Sequence, residues 1–169
     1  MTYEELKISI DLNGYENVLP KIGKTYPDDS HWFVVCDDGD CHLFDRFGKE
    51  DDIKKVTEIY EDMIPTNIKK IVIPDSVISI KDYAFEYCND LTSVTIPNSR
   101  MSIGNEAFMG CSGLTSMTIP DSVMEIGIGV FYGCSNLKSL IFKNKTFNQV
   151  KSMENYPFGI EDESIIKCN

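Results

Sequence analysis

LTSVTIPNSRMSIGNEAFMGCSG (Leu91–Gly113) runs without a gap into LTSMTIPDSVMEIGIGVFYGCSN (Leu114–Asn136). Both stretches are 23 residues long and carry the same text. IKKIVIPDSVISIKDYAFEYCND (Ile68–Asp90) is a copy upstream, and LKSLIFKNKTFNQVKSMENYPFG (Leu137–Gly159) is a worn copy downstream. A fixed period of this size marks a solenoid in which each unit is one coil. Position 1 of the repeat reads Ile68, Leu91, Leu114, Leu137; position 4 reads Ile71, Val94, Met117, Leu140; position 6 reads Ile73, Ile96, Ile119, Phe142. That spacing is an apolar–polar–apolar strand with a leading anchor. Pro74, Pro97 and Pro120 follow and end the strand, because proline cannot donate to a ladder. Ile80, Ile103 and Ile126 repeat at position 13. Ala84-Phe85-Cys88, Ala107-Phe108-Cys111 and Val130-Phe131-Cys134 then predict a short inward-facing helical turn. One such coil buries too little apolar surface to offset its own ordering, so coils must stack and the two ends must be capped.

These units resemble the BspA-like leucine-rich repeat family through LTSVTIP-x-S-x-x-x-I-G-x-x-A-F-x-G-C at 23-residue spacing, over Ile68–Gly159. The ending KTFNQVKSMENYPFGIEDESIIKC is similar to the terminal unit of many such proteins. The resemblance implies a right-handed solenoid with a strand on one face and short helical turns elsewhere, and binding rather than catalysis. Many members are secreted or surface adhesins of host-associated microbes, and some are carried by mobile elements. This chain departs from the adhesin pattern in its few repeats, its distinct N-terminal part and its first residues. MTYEELKISIDLNGYE has no basic region followed by an apolar one, as a signal peptide would. The expectation is a cytoplasmic protein, or a secreted one if the chain has been trimmed. No apolar run is long enough to span a membrane.

Upstream of the repeats, Thr2 and Glu5 form a T-x-x-E capping box that predicts a first helix. Leu6, Ile8, Ile10 and Leu12 alternate at period two and argue the other way. Tyr15–Ile22 reads as a second short helix disturbed by Pro20, and Tyr26–Ser30 as a loop. His31–Val35 and Cys41–Phe47 read as strands joined by a two-residue Asp38-Gly39 turn. Asp51 or Asp52 caps a helix running to about Met63, with Ile53, Val56, Ile59 and Tyr60 on one face. The expected fold is therefore α+β: a short right-handed leucine-rich-repeat solenoid of four coils (68–90, 91–113, 114–136, 137–159), capped by a small acidic α+β unit over 1–67 with a hairpin at 31–47 and a helix at 51–63. Residues 160–169 form a C-terminal cap, with a last short strand near Ser164–Lys167.

The charge is uneven. The chain carries 16 basic and 27 acidic residues, net −11. Met1–Asn67 holds 7 basic and 16 acidic residues, net −9, whereas Ile68–Gly159 holds 8 of each. Such a field disfavours direct contact with nucleic acid or an anionic membrane and suits a basic protein partner, or simply serves solubility.

Little in the chain points to chemistry. There is no glycine-rich phosphate loop, no G-x-S-x-G and no H-E-x-x-H, so no catalytic or cofactor-binding residue is assigned. Cys88, Cys111 and Cys134 share one repeat position and read as small buried apolar groups. Cys36 and Cys41, near His31 and His42, leave three readings open: a metal site, a labile cross-strand disulfide, or two ordinary strand cysteines. Their C-x4-C spacing lacks a second matched pair, so no metal ligand is assigned. Asp37, Asp38, Asp40 and Asp45 crowd the hairpin without the spacing of a calcium loop.

The candidate binding residues are of two kinds. Position 11 reads Ile78, Met101, Met124, Phe147, an apolar ladder where the family usually has a small polar residue. Pointing outward it is a partner or dimer stripe; with the coil slightly rotated it is core and Arg100 takes the outward place. Met109 and Tyr132 at position 19 extend such a patch. The acidic tip Asp37, Asp38 and Asp40 is the second candidate. The outward faces of four repeat strands span only roughly 300 Å² against about 800 Å² per partner in a standard interface. A tight complex therefore needs the N-terminal unit, or self-association. The first functional expectation is a non-enzymatic protein-interaction module. The alternative is a phage- or mobile-element-encoded inhibitor of a host defence protein, acting through the acidic unit.

Overall fold

The computed structural model describes residues 1–25 and 30–169. The loop expected at 26–29 lies outside the described residues. At the N-terminus the capping box prevails over the period-two pattern. The Glu5 N–H donates to Thr2 Oγ1 and the Thr2 N–H donates to Glu5 Oε2, and helix α1 runs Tyr3–Asn13. The alternating residues divide accordingly: Leu6 is buried while Ile8 and Leu12 stay exposed. Gly14, at φ 79, turns the chain into α2 (Tyr15–Ile22), which accommodates Pro20 in its last turn.

Four strands then form an antiparallel sheet in sequence order: β1 (Lys24–Thr25), β2 (His31–Val35), β3 (Cys41–Asp45) and β4 (Glu50–Asp51). The sheet is apolar on both faces because both are covered. Val34, Cys36 and Phe44 pack against Leu6, Val18 and Leu19 of the helices. Phe33 and Leu43 point the other way and join the solenoid core. The expected hairpin forms, but its turn is longer than a two-residue loop. The Gly39 N–H donates to the Cys36 carbonyl at 2.8 Å, the Cys36 N–H donates to the Asp40 carbonyl at 2.9 Å, and Gly39 takes φ 89. A three-residue loop ending in a left-handed glycine is the next most favoured way to close a hairpin.

The helix expected over 51–63 does not form. Ile53–Lys55 is one 3₁₀ turn, and β5 (Glu58–Ile59) is a strand that pairs in parallel with β7 (Ser79–Ile80). Val56 and Ile59 enter the core one coil ahead of Val77 and Ile80. Their three-residue spacing fits a helix face and a bent solenoid strand equally well. Covering the unpaired edge of the first coil decides between them, since exposed ladder groups are costly and sticky. The stack thus begins about one coil before Ile68.

Above this rung the coils stack in register. The parallel sheet β5–β7–β9–β11 is completed by β9 (Met101–Ile103) and β11 (Val123–Ile126). On the other side of the coil, β6 (Lys70–Val72) pairs with β8 (Ser93–Thr95), and β10 (Ser116–Ile119) pairs with β12 (Ser139–Phe142) and then β13 (Ile166–Cys168). Pairs such as Lys70↔Ser93 and Ser116↔Ser139 keep the 23-residue offset. Phe85, Phe108 and Phe131 form a buried spine with near-parallel rings, their centroids 4.8 and 6.0 Å apart. Gly104 and Gly127 let neighbouring coils approach, since a Cβ on either would sit 2.5 Å from the backbone nitrogen of Asp82 or Asn105. At the far end α3 (Phe147–Lys151) is capped by Thr146 and Gln149, and Phe158 packs on Phe142 to close the core.

The start of the stack is closed by the hairpin as well. The Val72 N–H of β6 donates to the Gly39 carbonyl at 2.8 Å, so the acidic turn sits on the outer edge of the first coil. No helix of the described residues is long and apolar enough to cross a membrane.

Candidate protein-binding site

The expected position-11 ladder is not continuous. Ile78, Met124 and Phe147 are 56%, 52% and 42% exposed, but Met101 between them is 2% exposed and belongs to the core. Met101 therefore does not belong to an outward stripe. The cause lies one residue upstream. Position 10 is Val77 in the first unit and Val123 in the third, both buried, but Arg100 in the second. Burying an unpaired guanidinium costs far more than shifting a strand by one residue. Arg100 stays outside and Met101 fills the valine place. The ladder records the shift: Val123 pairs with Met101, Glu125 with Ser102, and Met124 bulges out between them.

The same shift disturbs a row of hydroxyls. Ser76 Oγ donates to the Val56 carbonyl at 2.6 Å, and Ser99 Oγ donates to the Val77 carbonyl at 2.9 Å. Ser122, at the same position of the next coil, has its buried Oγ without a partner among the described residues.

A second row of apolar side chains is carried on paired turns. The Tyr87 N–H donates to the Met109 carbonyl and the Gly110 N–H donates to the Tyr132 carbonyl, both at 2.8 Å. These bonds bind the outer turns of three successive coils into one ridge. Tyr87 and Tyr132 are 56% and 58% exposed, and Met109 is half-buried beside them. The Tyr87 ring lies over Gly110, whose Cα leaves no room for a side chain there. Exposed Ile128 lies four residues before Tyr132 on the same coil. Met109 and Tyr132 were legible in the sequence; Tyr87 was not, because it stands at position 20, where the next two coils have glycine. Tyr87 holds φ 54 there, as Gly110 and Gly133 hold φ 71 and 74.

The acidic tip is exposed and self-contained. Asp37 pairs with the Met1 amino group at 2.6 Å, Asp38 Oδ1 accepts the Asp40 N–H at 3.0 Å, and all three carboxylates face solvent.

Cys36 and Cys41 do not face each other. The register pairs Val35 with Cys41, so the two cysteines fall on opposite faces of the sheet and both are free. An offset of one residue is enough to invert a strand face. Burial pushes the Cys36 thiol up to about 11, with Asp38 adding to it, and burial likewise raises Cys41. Burial holds Cys88 and Cys134 at about 11, and raises Cys111 too. The Cys111 and Cys134 thiols donate to the Phe85 and Phe108 carbonyls at 3.1 Å, so these groups are neutral packing elements rather than nucleophiles.

The two histidines clamp the N-terminal sheet. His31 Nε2 lies 2.9 Å from Asp51 Oδ2, which also takes Lys55. His42 Nδ1 lies 2.9 Å from Glu50 Oε1, and its ring stacks on Tyr3 at 3.9 Å, with the Tyr3 hydroxyl donating to the same carboxylate. The Lys55 ammonium leads the Asp52 N–H and His31 in holding the Asp51 carboxyl well below its usual range. No group of three or more metal-ligating side chains occurs among the described residues.

Comparison with known proteins bears on the solenoid. The sequence model described as BspA type leucine rich repeat region matches residues 59–165 in six copies. A solved leucine-rich repeat protein from Bacteroides capillosus ATCC 29799 is 27% identical, with 67% of this chain and 94% of that chain covered and a TM-score of 0.48. A T. pallidum leucine-rich repeat protein is 17% identical, with 86% of this chain and 82% of that chain covered and a TM-score of 0.46. No curated protein matches the chain.

Proposed function

The chain belongs to the BspA-type leucine-rich repeat family, and from that premise we propose that it is a protein-interaction module whose contact surface is the ridge of outer turns. Stacked repeats build an extended surface of the kind that repeat proteins use for binding. The single observation that carries the reading is the row Tyr87, Met109 and Tyr132, presented on hydrogen-bonded turns of three successive coils. Tyrosine supplies large contact area at low entropy cost, and a rigid ladder beneath it lowers the cost of ordering further. Ile78, Met124 and Phe147 contribute separate apolar contacts rather than a stripe. The net −9 of Met1–Asn67 supports a partner with a basic surface, drawn toward the tip at Asp37, Asp38 and Asp40.

The test is photocrosslinking in source lysate with Tyr132→p-benzoylphenylalanine, Tyr87→p-benzoylphenylalanine and, as a control, Lys143→p-benzoylphenylalanine. The reading expects one discrete protein adduct at 132 and 87 and none at 143. Equal adducts at all three positions, or none at 132 and 87, sink it.

A further inference from the structure

Docking of the N-terminal unit on the first coil leaves a cleft of 640 Å³ between them. Its lining runs against the charge of the chain. Lys21 at the end of α2, Lys24 of β1, and Lys69 and Lys70 at the start of β6 all line it, and all four are exposed. None of the four ion-pairs among the described residues, where the lysine ion pairs are made by Lys7, Lys55 and Lys81. Among the described residues, the carboxylate lining the cleft is Asp37, already engaged by the Met1 amino group. Between the lysines, Ile22, Val35 and Pro65 line the cleft and keep part of their apolar surface accessible. Four like charges gathered around these apolar groups repel one another unless an anion joins them. Two come from each side, so the arrangement exists only in the docked protein.

We propose that this cleft binds a short acidic peptide segment of a partner protein, its carboxylates meeting Lys21, Lys24, Lys69 and Lys70 and an apolar side chain resting on Ile22, Val35 and Pro65. The volume lies within the range of pockets that hold small ligands. A nucleic acid extends beyond such a pocket into the field of a chain with net charge −11. Inorganic phosphate leaves the apolar groups unused, and lysines without an arginine fork offer it no bidentate geometry. An acidic segment carrying leucine-like side chains uses both features. The cleft is separate from the Tyr87–Tyr132 ridge, so the two readings fail separately.

The test is fluorescence anisotropy of the full chain with a fluorescein-labelled amide of Glu-Leu-Glu-Glu-Leu-Glu. Saturable binding that weakens with salt is expected. Lys21→Glu with Lys24→Glu, and separately Lys69→Glu with Lys70→Glu, should each lower affinity by about tenfold or more. Lys138→Glu with Lys143→Glu, the same charge change on the fourth unit, should change it by less than about twofold, because screening removes distant charges. A probe with serine for leucine should bind several-fold more weakly. Should Lys70→Glu loosen the Gly39–Val72 contact, seen as a lowered melting temperature, Lys24→Glu with Lys69→Glu replaces it. The proposal is overturned by absent binding, by equal loss in the control pair, by equal affinity of the serine probe, or by inorganic tripolyphosphate competing as well as the unlabelled peptide. It is also overturned if sedimentation shows self-association that the cleft variants abolish, which would make a second copy the occupant.

Discussion

The second and third coils carry methionine at the same repeat position and treat it oppositely: Met101 is 2% exposed and Met124 52%. Their sequences differ one residue upstream, where Arg100 stands against Val123. The arginine cannot enter the core, so the second coil slides by one residue, the pairing with the third coil acquires a bulge, and Ser122 Oγ is left without an acceptor among the described residues. A repeat position is thus a statement about an average coil, and one charged side chain is enough to override it locally.

Aspartate at the two methionines should separate the coils most. Met101→Asp buries a carboxylate beside Val77 and Val123 and should cost more than about 4 kcal/mol or abolish cooperative unfolding, whereas Met124→Asp should stay within about 0.5 kcal/mol. Urea melts followed by circular dichroism decide this, and equal effects would mean the two methionines are equivalent after all.

Alanine at the left-handed glycines comes next. A Cβ on Gly133 would meet the Gly110 backbone at 3.4 Å, an ordinary contact distance, so Gly133→Ala should cost only the backbone term, about 1–2 kcal/mol. Gly110→Ala must also displace the Tyr87 ring, 2.4 Å from the added carbon, and should cost about 0.5–1.5 kcal/mol more. In the double variant Gly110→Ala with Tyr87→Ala that excess should vanish.

The serine row should change sign between the coils. Ser99→Ala removes a hydrogen bond and should destabilise by about 1 kcal/mol. Ser122→Ala removes a hydroxyl without a partner among the described residues and should be neutral or slightly stabilising on the same melts.

Arg100→Val should bring the second coil into line with its neighbours at a net stability change under about 1.5 kcal/mol, since one apolar residue replaces another in the core. The readout is peroxide oxidation mapped by mass spectrometry. In the native chain Met124 oxidises and Met101 is protected; in the variant Met101 should oxidise at a rate approaching that of Met124. Continued protection of Met101 would show that something other than Arg100 holds it inside.

The parts legible in the sequence were those the period repeats. The repeat strand, the phenylalanine spine and the buried cysteines follow from side chains whose burial is dictated by their spacing, and the exposed Thr2–Glu5 cap was legible from its own local hydrogen-bonding pattern. Less legible was the N-terminal unit, where each contact is made once. Val56 and Ile59 could lie on a helix or a strand until β7 offered them an edge to cover. Cys36 and Cys41 could be paired or opposed until a three-residue loop set the register. The ridge was half visible: Met109 and Tyr132 stand at one repeat position, but Tyr87 joins them from the next by occupying a backbone conformation usually left to glycine.

By itself, then, the amino-acid order determined that this protein is a stack of 23-residue coils, because only a residue's recurrence can encode a recurring contact. The tertiary structure alone decided which of two adjacent residues turns inward, where the stack begins, and that Lys21 and Lys24 meet Lys69 and Lys70 in one cleft. Those outcomes are competitions between neighbouring side chains for one place in the core or one sheet edge, and the winner depends on what the adjoining coil presents.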